Sequence, residues 1–393
     1  MQYTLRATTV YHHALFLLQD HLGLTDFSPA CTTRTLLAVV FAATARLTSL
    51  FAAGLRLLGA PAAETLRQAL LASLPALAEL EDRSNGALAA HLPRRLRRRK
   101  QRLALDLTLV PYHGRYHRDP SEVVRGAAKS GTTHFHAYAT AYLLFRGQRF
   151  TVALTAVRSG DPLKEVIRRL LRRAAAAGVR PALLLLDREF YSVGVIRYLQ
   201  AARYPFLMPL VCRGRKAGHP KGAGGSRAFK YWKRSGWGRY TLTEAGGRTA
   251  TVSVGVHVRN RRGRRGKHGR ERLVYGYWGF QPRAVAWLSA TYRQRFAIES
   301  SYRQLREAKA KTCSRRPEVR LFLVAVALVL RNVWVWLHYA VLSTPRRGRR
   351  QLNEERLRFK AMLLMLLHEA ERWLGVTDDV IMERSIWEAL AAE

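Results

Sequence analysis

Three carboxylates stand where they could do chemistry. Asp106 sits in LALDLTLVPY, a run that reads as a β-strand, between Leu105 and Leu107. Burying an unpaired charge there is costly, so the position predicts a cationic or metal partner. Taken alone it is equally well an ordinary strand acid facing water. Asp187 ends the apolar run ALLLLD. Acids at the carboxyl ends of strands in open α/β sheets point into the ligand crevice. A rival role, capping the next helix, is weaker because helical pattern resumes only near Ser192. Glu299 lies in TYRQRFAIESSYRQLREAKAK, where Tyr292, Arg295, Glu299 and Tyr302 are spaced 3, 4 and 3. That spacing predicts one helix face, too polar for core and too aromatic for plain solvent, hence turned toward nucleic acid. Arg306 follows one turn along, with Lys309 and Lys311 beyond. Two strand acids and one helix acid suit two-metal phosphodiester chemistry, in which paired ions about 3.5–4 Å apart activate one oxygen and stabilise another. Carboxylates favour the hard Mg²⁺ ion, so two Mg²⁺ are the expected cofactor, with Mn²⁺ as substitute.

The charge balance supports a polyanionic substrate. The 393 residues carry 67 Lys+Arg against 27 Asp+Glu, a formal net charge of +40, and 56 of those cations are arginine. Such a surplus repels itself unless a polyanion neutralises it, and each phosphate contact gains from counterion release. A GC-rich genome would explain arginine over lysine, but not basic over acidic. The hydrophobic share of 48% predicts a folded chain with a substantial core. Other chemistries find little support. Cys31, Cys212 and Cys313 are far apart and form no CxxC pair, which argues against a disulfide scaffold or zinc knuckle and fits a reducing compartment. The pairs His12-His13 and His134/His136 lack a third ligand nearby, so an exposed strand face is the better reading for the second pair. GAGGS lacks the Lys-Ser/Thr of a phosphate loop. The N-terminus has no signal-peptide pattern. Leu321–Leu342 is membrane-like in composition, but Arg331 and Asn332 interrupt it, so it reads as a buried core helix and no membrane is expected.

These residues need elements to hold them. Residues 1–92 are Ala/Leu-rich with helical spacing, broken at Gly59-Ala60-Pro61, and are expected to be helical, with DNA-end binding as their candidate role. Seven of the nine residues in RRLRRRKQR (94–102) are basic, which fits a solvated linker or a phosphate-contacting strap. From 93 to 212 the pattern runs strand (LALDLTLVPY), strand (HFHAYATAYLLF), strand (RFTVALTAVR), helix, strand (ALLLLD), helix, strand (PFLMPLV), a mixed α/β sheet. Residues 213–287 turn Gly/Arg-rich, with β-like runs and Trp232, Trp237 and Trp278. They read as an inserted β-rich module with a mobile basic tip, RNRRGRRGKHGR. Helical pattern returns across 288–345, and two C-terminal amphipathic helices are expected at about 351–374 and 378–391 within 346–393, a candidate dimerisation region.

In this order, the motifs around Asp106, Asp187 and Glu299 resemble those of the DDE transposases of bacterial and archaeal insertion sequences. The separation of 112 residues between Asp187 and Glu299 is similar to that of the subgroup with a β-strand insertion there. Tyr292, Arg295 and Glu299 match that subgroup's Tyr-x2-Arg-x3-Glu-x6-Lys signature in register, with Arg306 in place of the lysine. The resemblance spans about residues 95–345. It implies an RNase H-like mixed sheet flanked by helices, interrupted by the β-rich insertion, with helical N- and C-terminal regions. It implies Asp106, Asp187 and Glu299 as metal ligands, and Tyr292, Arg295 and Arg306 as contacts to the transposon-end backbone. Tyr302, Lys309 and Arg188 are further DNA-contact candidates. Glu189 is a rival acid, since the subgroup usually has a small residue and then an aromatic after the second aspartate, where this chain has Arg188-Glu189-Phe190-Tyr191. The implied reaction is cleavage at transposon ends that frees a 3′-OH, which attacks the other strand to form a hairpin or attacks target DNA. Hairpin formation flips a base, and Trp232, Trp237 and Trp278 are candidate stacking platforms. Double-stranded DNA, a homodimer on paired ends and a cytoplasmic, nucleoid-associated location are the corresponding expectations. A catalytically silent DNA-binding descendant, or an RNase H-like nuclease that cuts without joining, are the alternatives.

Overall fold

The computed structural model describes residues 4–145, 148–260, 269–343 and 354–377. The N-terminal third is helical: α1 (Ala7–Leu22), α2 (Thr33–Arg46), α3 (Leu50–Gly54), α4 (Ala63–Ser73), α5 (Leu77–Ala90) and the short α6 (Arg94–Arg98). Side-chain oxygens start several of them. The hydroxyl of Thr32 accepts from the Thr35 amide at 3.2 Å, and Ser49 accepts from Ala52 at 3.1 Å, satisfying amides that a helix leaves free at its start. The basic run is thus partly helix and partly strand, since β1 begins at Gln101. Arg95 within it lies over the rings of Phe145 and Tyr339, and Arg97 donates to the Ala89 carbonyl.

One sheet organises the rest. Strands β1 (Gln101–Pro111), β2 (Val124–Lys129), β3 (Thr132–Phe145) and β4 (Gln148–Val157) are followed by α7 (Leu163–Ala176), β5 (Pro181–Leu186), α8 (Val193–Ala201) and β6 (Phe206–Pro209). β3 pairs antiparallel with β1 along one edge and with β2 and β4 along the other, while β5 runs parallel to β1 and to β6. The core order β4-β3-β1-β5-β6 follows. Residues 213–287 supply β7 (Gly236–Thr243), β8 (Thr249–Asn260) and β9 (Arg270–Trp278). These strands extend the same sheet, because β9 pairs antiparallel with β6 and the order continues β9-β8-β7. The parallel edge of β6 offers free backbone donors and acceptors, and pairing with β9 satisfies them. Most of the basic tip, residues 261–268, lies outside the described residues.

After the sheet come α9 (Val285–Arg293), α10 (Ala297–Ala308), α11 (Pro317–Leu337) and α12 (Phe359–Leu374). The expected unbroken helical stretch from 288 to 343 is corrected here: a one-turn 3-10 segment, Gln294–Phe296, separates α9 from α10, and residues 309–316 are non-helical. The expected final helix at 378–391 lies outside the described residues. α11, the membrane-like stretch, is a core helix, and 94% of its most apolar window is buried inside the protein. Arg331 and Asn332 at its middle explain why. Asn332 accepts from the Thr151 amide at 2.9 Å and donates to the Thr151 carbonyl at 2.8 Å, as a neighbouring strand would. Asn85 of α5 does the same for Leu154, at 2.8 Å in both directions. Arg331 donates to the Arg149 carbonyl at 2.7 Å, and Glu81 accepts from the Ala156 amide at 3.0 Å. Helical side chains therefore close the outer edge of β4, which would otherwise be an unpaired strand edge in the interior.

Candidate active site

Strand alternation decides which side chains share a face. In β1 and β5, Leu103, Leu105, Leu184 and Leu186 enter the larger core, whereas Ala104 and Leu185 join a second cluster with Tyr142, Leu207, Tyr275, Leu288 and Tyr292. Asp106 is two residues beyond Ala104, and Asp187 two beyond Leu185, so both belong to the second face. Leu105 and Leu186 are register partners in the parallel pair, which brings the two aspartates to the same level at adjacent strands. β5 ends there, so Asp187 opens a loop as a carboxylate should at a crevice. It is also a local cap: its Oδ1 accepts from the Arg188 amide at 2.7 Å, starting a 3-10 turn, Arg188–Phe190, before α8.

A single nitrogen ties the acids together. Arg295 Nη2 lies 2.8 Å from Asp106 Oδ1 and 3.0 Å from Asp187 Oδ2. The pair therefore converges on one cation-sized space. Asp106 is 8% exposed and Arg295 6%. Burial pushes the Asp106 carboxyl up to about 6; Arg295 opposes that shift and the charge of Asp187 adds to it. Burial also works against the Arg295 cation, but Tyr292 and the two aspartates outweigh it, and its pKa is raised. Glu189, next to the pair, is held above the ordinary carboxylate range by burial and by Asp187. A buried acid whose ionisation the fold penalises, sharing one buried guanidinium with a second acid, is the electrostatics of a site rather than of a surface.

The matching family model, described as "Transposase DDE domain", covers residues 97–331. The chain belongs to the DDE transposase family. Among solved structures, a piggyBac transposase synaptic complex with hairpin DNA shares the fold, with a TM-score of 0.56 over 98% of this chain and 84% of that one, at 9% identity. The sequence matched no curated protein.

The transposase fold brings Asp106, Asp187 and Arg295 together, but revises other expectations. The single face carrying Tyr292, Arg295, Glu299 and Tyr302 does not exist as one helix, because the 3-10 turn at Gln294–Phe296 intervenes. Glu299 and Tyr302 lie on α10, and their side chains fall outside the described residues. Tyr292 does not face outward. It is 3% exposed, donates to the Leu186 carbonyl at 3.2 Å and packs 5.3 Å from Tyr275. Arg295 likewise faces the aspartates rather than solvent. Arg188 and Arg306 are exposed, whereas Lys309 is half-buried and its pKa is lowered by burial and by Arg320. His136 departs from the exposed strand face expected of it: it is 4% exposed, edge-on to Tyr112 at 4.7 Å, and burial followed by the Arg320 charge lowers its pKa to about 4. No group of three His, Cys, Asp or Glu side chains among the described residues is placed to hold a metal ion. The carboxylate oxygens of Asp106 and Asp187 nonetheless fit one by chemistry, being hard donors that already share a cation.

Of the tryptophans, Trp232 packs against Phe229 and Trp278 lies beside Phe206, both partly buried, while Trp237 is 46% exposed. Sequence reading missed what Trp237 leads to. Its ring meets Tyr277, Tyr277 meets Phe280, and Phe280 meets Trp287, each at 5.4–5.8 Å. Tyr277, Phe280 and Trp287 border the same cluster as Tyr292, so an aromatic row runs along the sheet face that carries the two aspartates. Alternation of Tyr275 and Tyr277 in β9 was the available signal; the partners come from a loop and α9, which no local pattern links.

Proposed function

We propose that this transposase cuts DNA at the ends of a mobile element and joins the freed 3′ ends to new DNA, with Asp106, Asp187 and Glu299 as metal ligands. The observation that carries this reading is the shared Arg295 nitrogen, which marks the two aspartates as one cation-binding pair on a buried sheet face. Glu299 is assigned from its signature spacing and its place on α10, the helix that follows Arg295. Divalent ions, Mg²⁺ by preference and Mn²⁺ as substitute, would supply charge that activates the attacking oxygen and stabilises the leaving one. The chain's own part is to hold the acids in place through paired strands, to keep water from one side of Asp106, and to hold the scissile phosphate by cationic side chains. Arg188 and Arg306, both exposed, suit that last task, as arginine forks match phosphate oxygens. Trp237 and the row behind it suit stacking of a flipped base, if hairpins form. Double-stranded DNA is the substrate in this reading, a homodimer holds paired ends, and the protein works in the cytoplasm on the nucleoid, without a membrane.

Cleavage of duplexes carrying the element's terminal repeats tests it. Asp106→Asn and Asp187→Asn should abolish strand cleavage while a gel-shift assay still detects end binding. Normal cutting by either variant would overturn the site assignment. Pre-cut ends that are never joined to target DNA would instead identify a nuclease.

A further inference from the structure

Arg295 raises a question that metal chemistry alone does not answer, because its guanidinium holds the same two carboxylate oxygens that a divalent ion would use. We propose that Arg295 is a resident counter-cation that keeps divalent ions off the Asp106–Asp187 pair until DNA phosphate draws the guanidinium away. This rests on reading the aspartates as metal ligands.

Three features support it. The seat is specific: Nη2 bridges both acids, with Arg295 and Asp106 buried and Asp187 partly exposed, and the guanidinium carbon lies 5.9 Å from the ring centre of Tyr292. Tyr292 is itself fixed by its bond to the Leu186 carbonyl, at the end of the strand that delivers Asp187. The seat is also incomplete. Arg295 Nε is buried and has no hydrogen-bond partner, so one of five donors in the fork is wasted. A phosphate, with more acceptor oxygens, can engage Nε and an Nη together. Finally, Arg295 lies in the 3-10 turn between α9 and α10, off either helix, where the side chain can be redirected without moving the sheet that carries the acids. A divalent ion and a guanidinium cannot hold the same oxygens, since their charges repel at contact distance. Metal loading and DNA binding are thereby coupled: phosphate and metal each favour the open arrangement, and each must strengthen the other's binding.

The test measures Mn²⁺ binding to DNA-free protein by electron paramagnetic resonance. Arg295→Gln should bind Mn²⁺ about tenfold more tightly than the wild type, whereas Arg293→Gln, which removes a nearby exposed charge, should change it less than about threefold. Equal effects from the two variants would reduce Arg295 to background charge and overturn the proposal. Asp187→Asn separates this from the underlying reading: if it leaves Mn²⁺ binding unchanged, the aspartates are not the metal site and both fail. Should Arg295→Gln not fold, wild-type protein with ¹⁵N-labelled arginine suffices. The buried Arg295 side-chain resonance should shift as Mg²⁺ saturates the site and should stay put in Asp187→Asn. A resonance indifferent to Mg²⁺ at saturating concentrations overturns the proposal.

Discussion

Asp106→Asn should make the metal-free protein more stable while it destroys function. The argument starts from burial. Asp106 is 8% exposed, and desolvation raises its carboxyl from the ordinary 3.8 to about 6 despite the Arg295 cation. The unfolded chain therefore releases this proton at lower pH than the folded protein does. Stability linked to the protonated form is fully present below pH 3.8 and is lost as pH rises through about 6. A shift of that size corresponds to roughly 3 kcal/mol at neutral pH. Asparagine mimics the protonated acid in shape. Its side-chain oxygen can still accept from the Leu107 amide and from Arg295, which reach Asp106 Oδ1 at 3.0 and 2.8 Å, and Arg295 keeps Asp187. Urea unfolding in EDTA checks this. At pH 7.5 the variant should be more stable by about 2–3 kcal/mol, and at pH 4 the two proteins should unfold alike. A variant that is less stable at pH 7.5, or a gap that does not grow between pH 4 and 6, would refute the claim that burial dominates this site.

Three other outcomes follow from the same structure. Asn332→Leu should destabilise the protein by about 3 kcal/mol in urea unfolding, because the Thr151 amide and carbonyl lose their partners inside the core. For His136, buried neutral with its pKa lowered to about 4, stability is present above pH 6.5 and lost as pH falls through 4, where the unfolded chain protonates first. His136→Phe should thus flatten the decline between those limits by about 2–3 kcal/mol, as read by denaturation at stepped pH. With a net charge of +40, affinity for duplex DNA should fall steeply with salt, with a log–log slope of about −4 or steeper, and fluorescence anisotropy at 50–200 mM salt would expose a flat response.

Local pattern alone determined much of this molecule. The ALLLLD run was readable as a strand buried on both faces that ends at a crevice, since a continuous apolar stretch leaves few other options. The basic charge surplus pointed to a polyanion. Arg331 and Asn332 argued against a membrane span, and they now have partners inside the protein. Spacing, by contrast, misled where the chain changed direction. Tyr292, Arg295 and Glu299 fit one helical period, yet a single 3-10 turn at Gln294–Phe296 breaks it: Tyr292 faces inward with the buried side of α9, and Arg295, in the turn, meets the aspartates. Whether a turn tightens for three residues depends on what its side chains meet, and those partners, Leu186, Asp106 and Asp187, lie more than a hundred residues away in the chain. The packing of buried His136 against Tyr112, the joining of residues 236–278 to the main sheet, and the aromatic row behind Trp237 are of the same kind. Each is an energy shared between segments remote in sequence, and such energies exist only once the chain has folded.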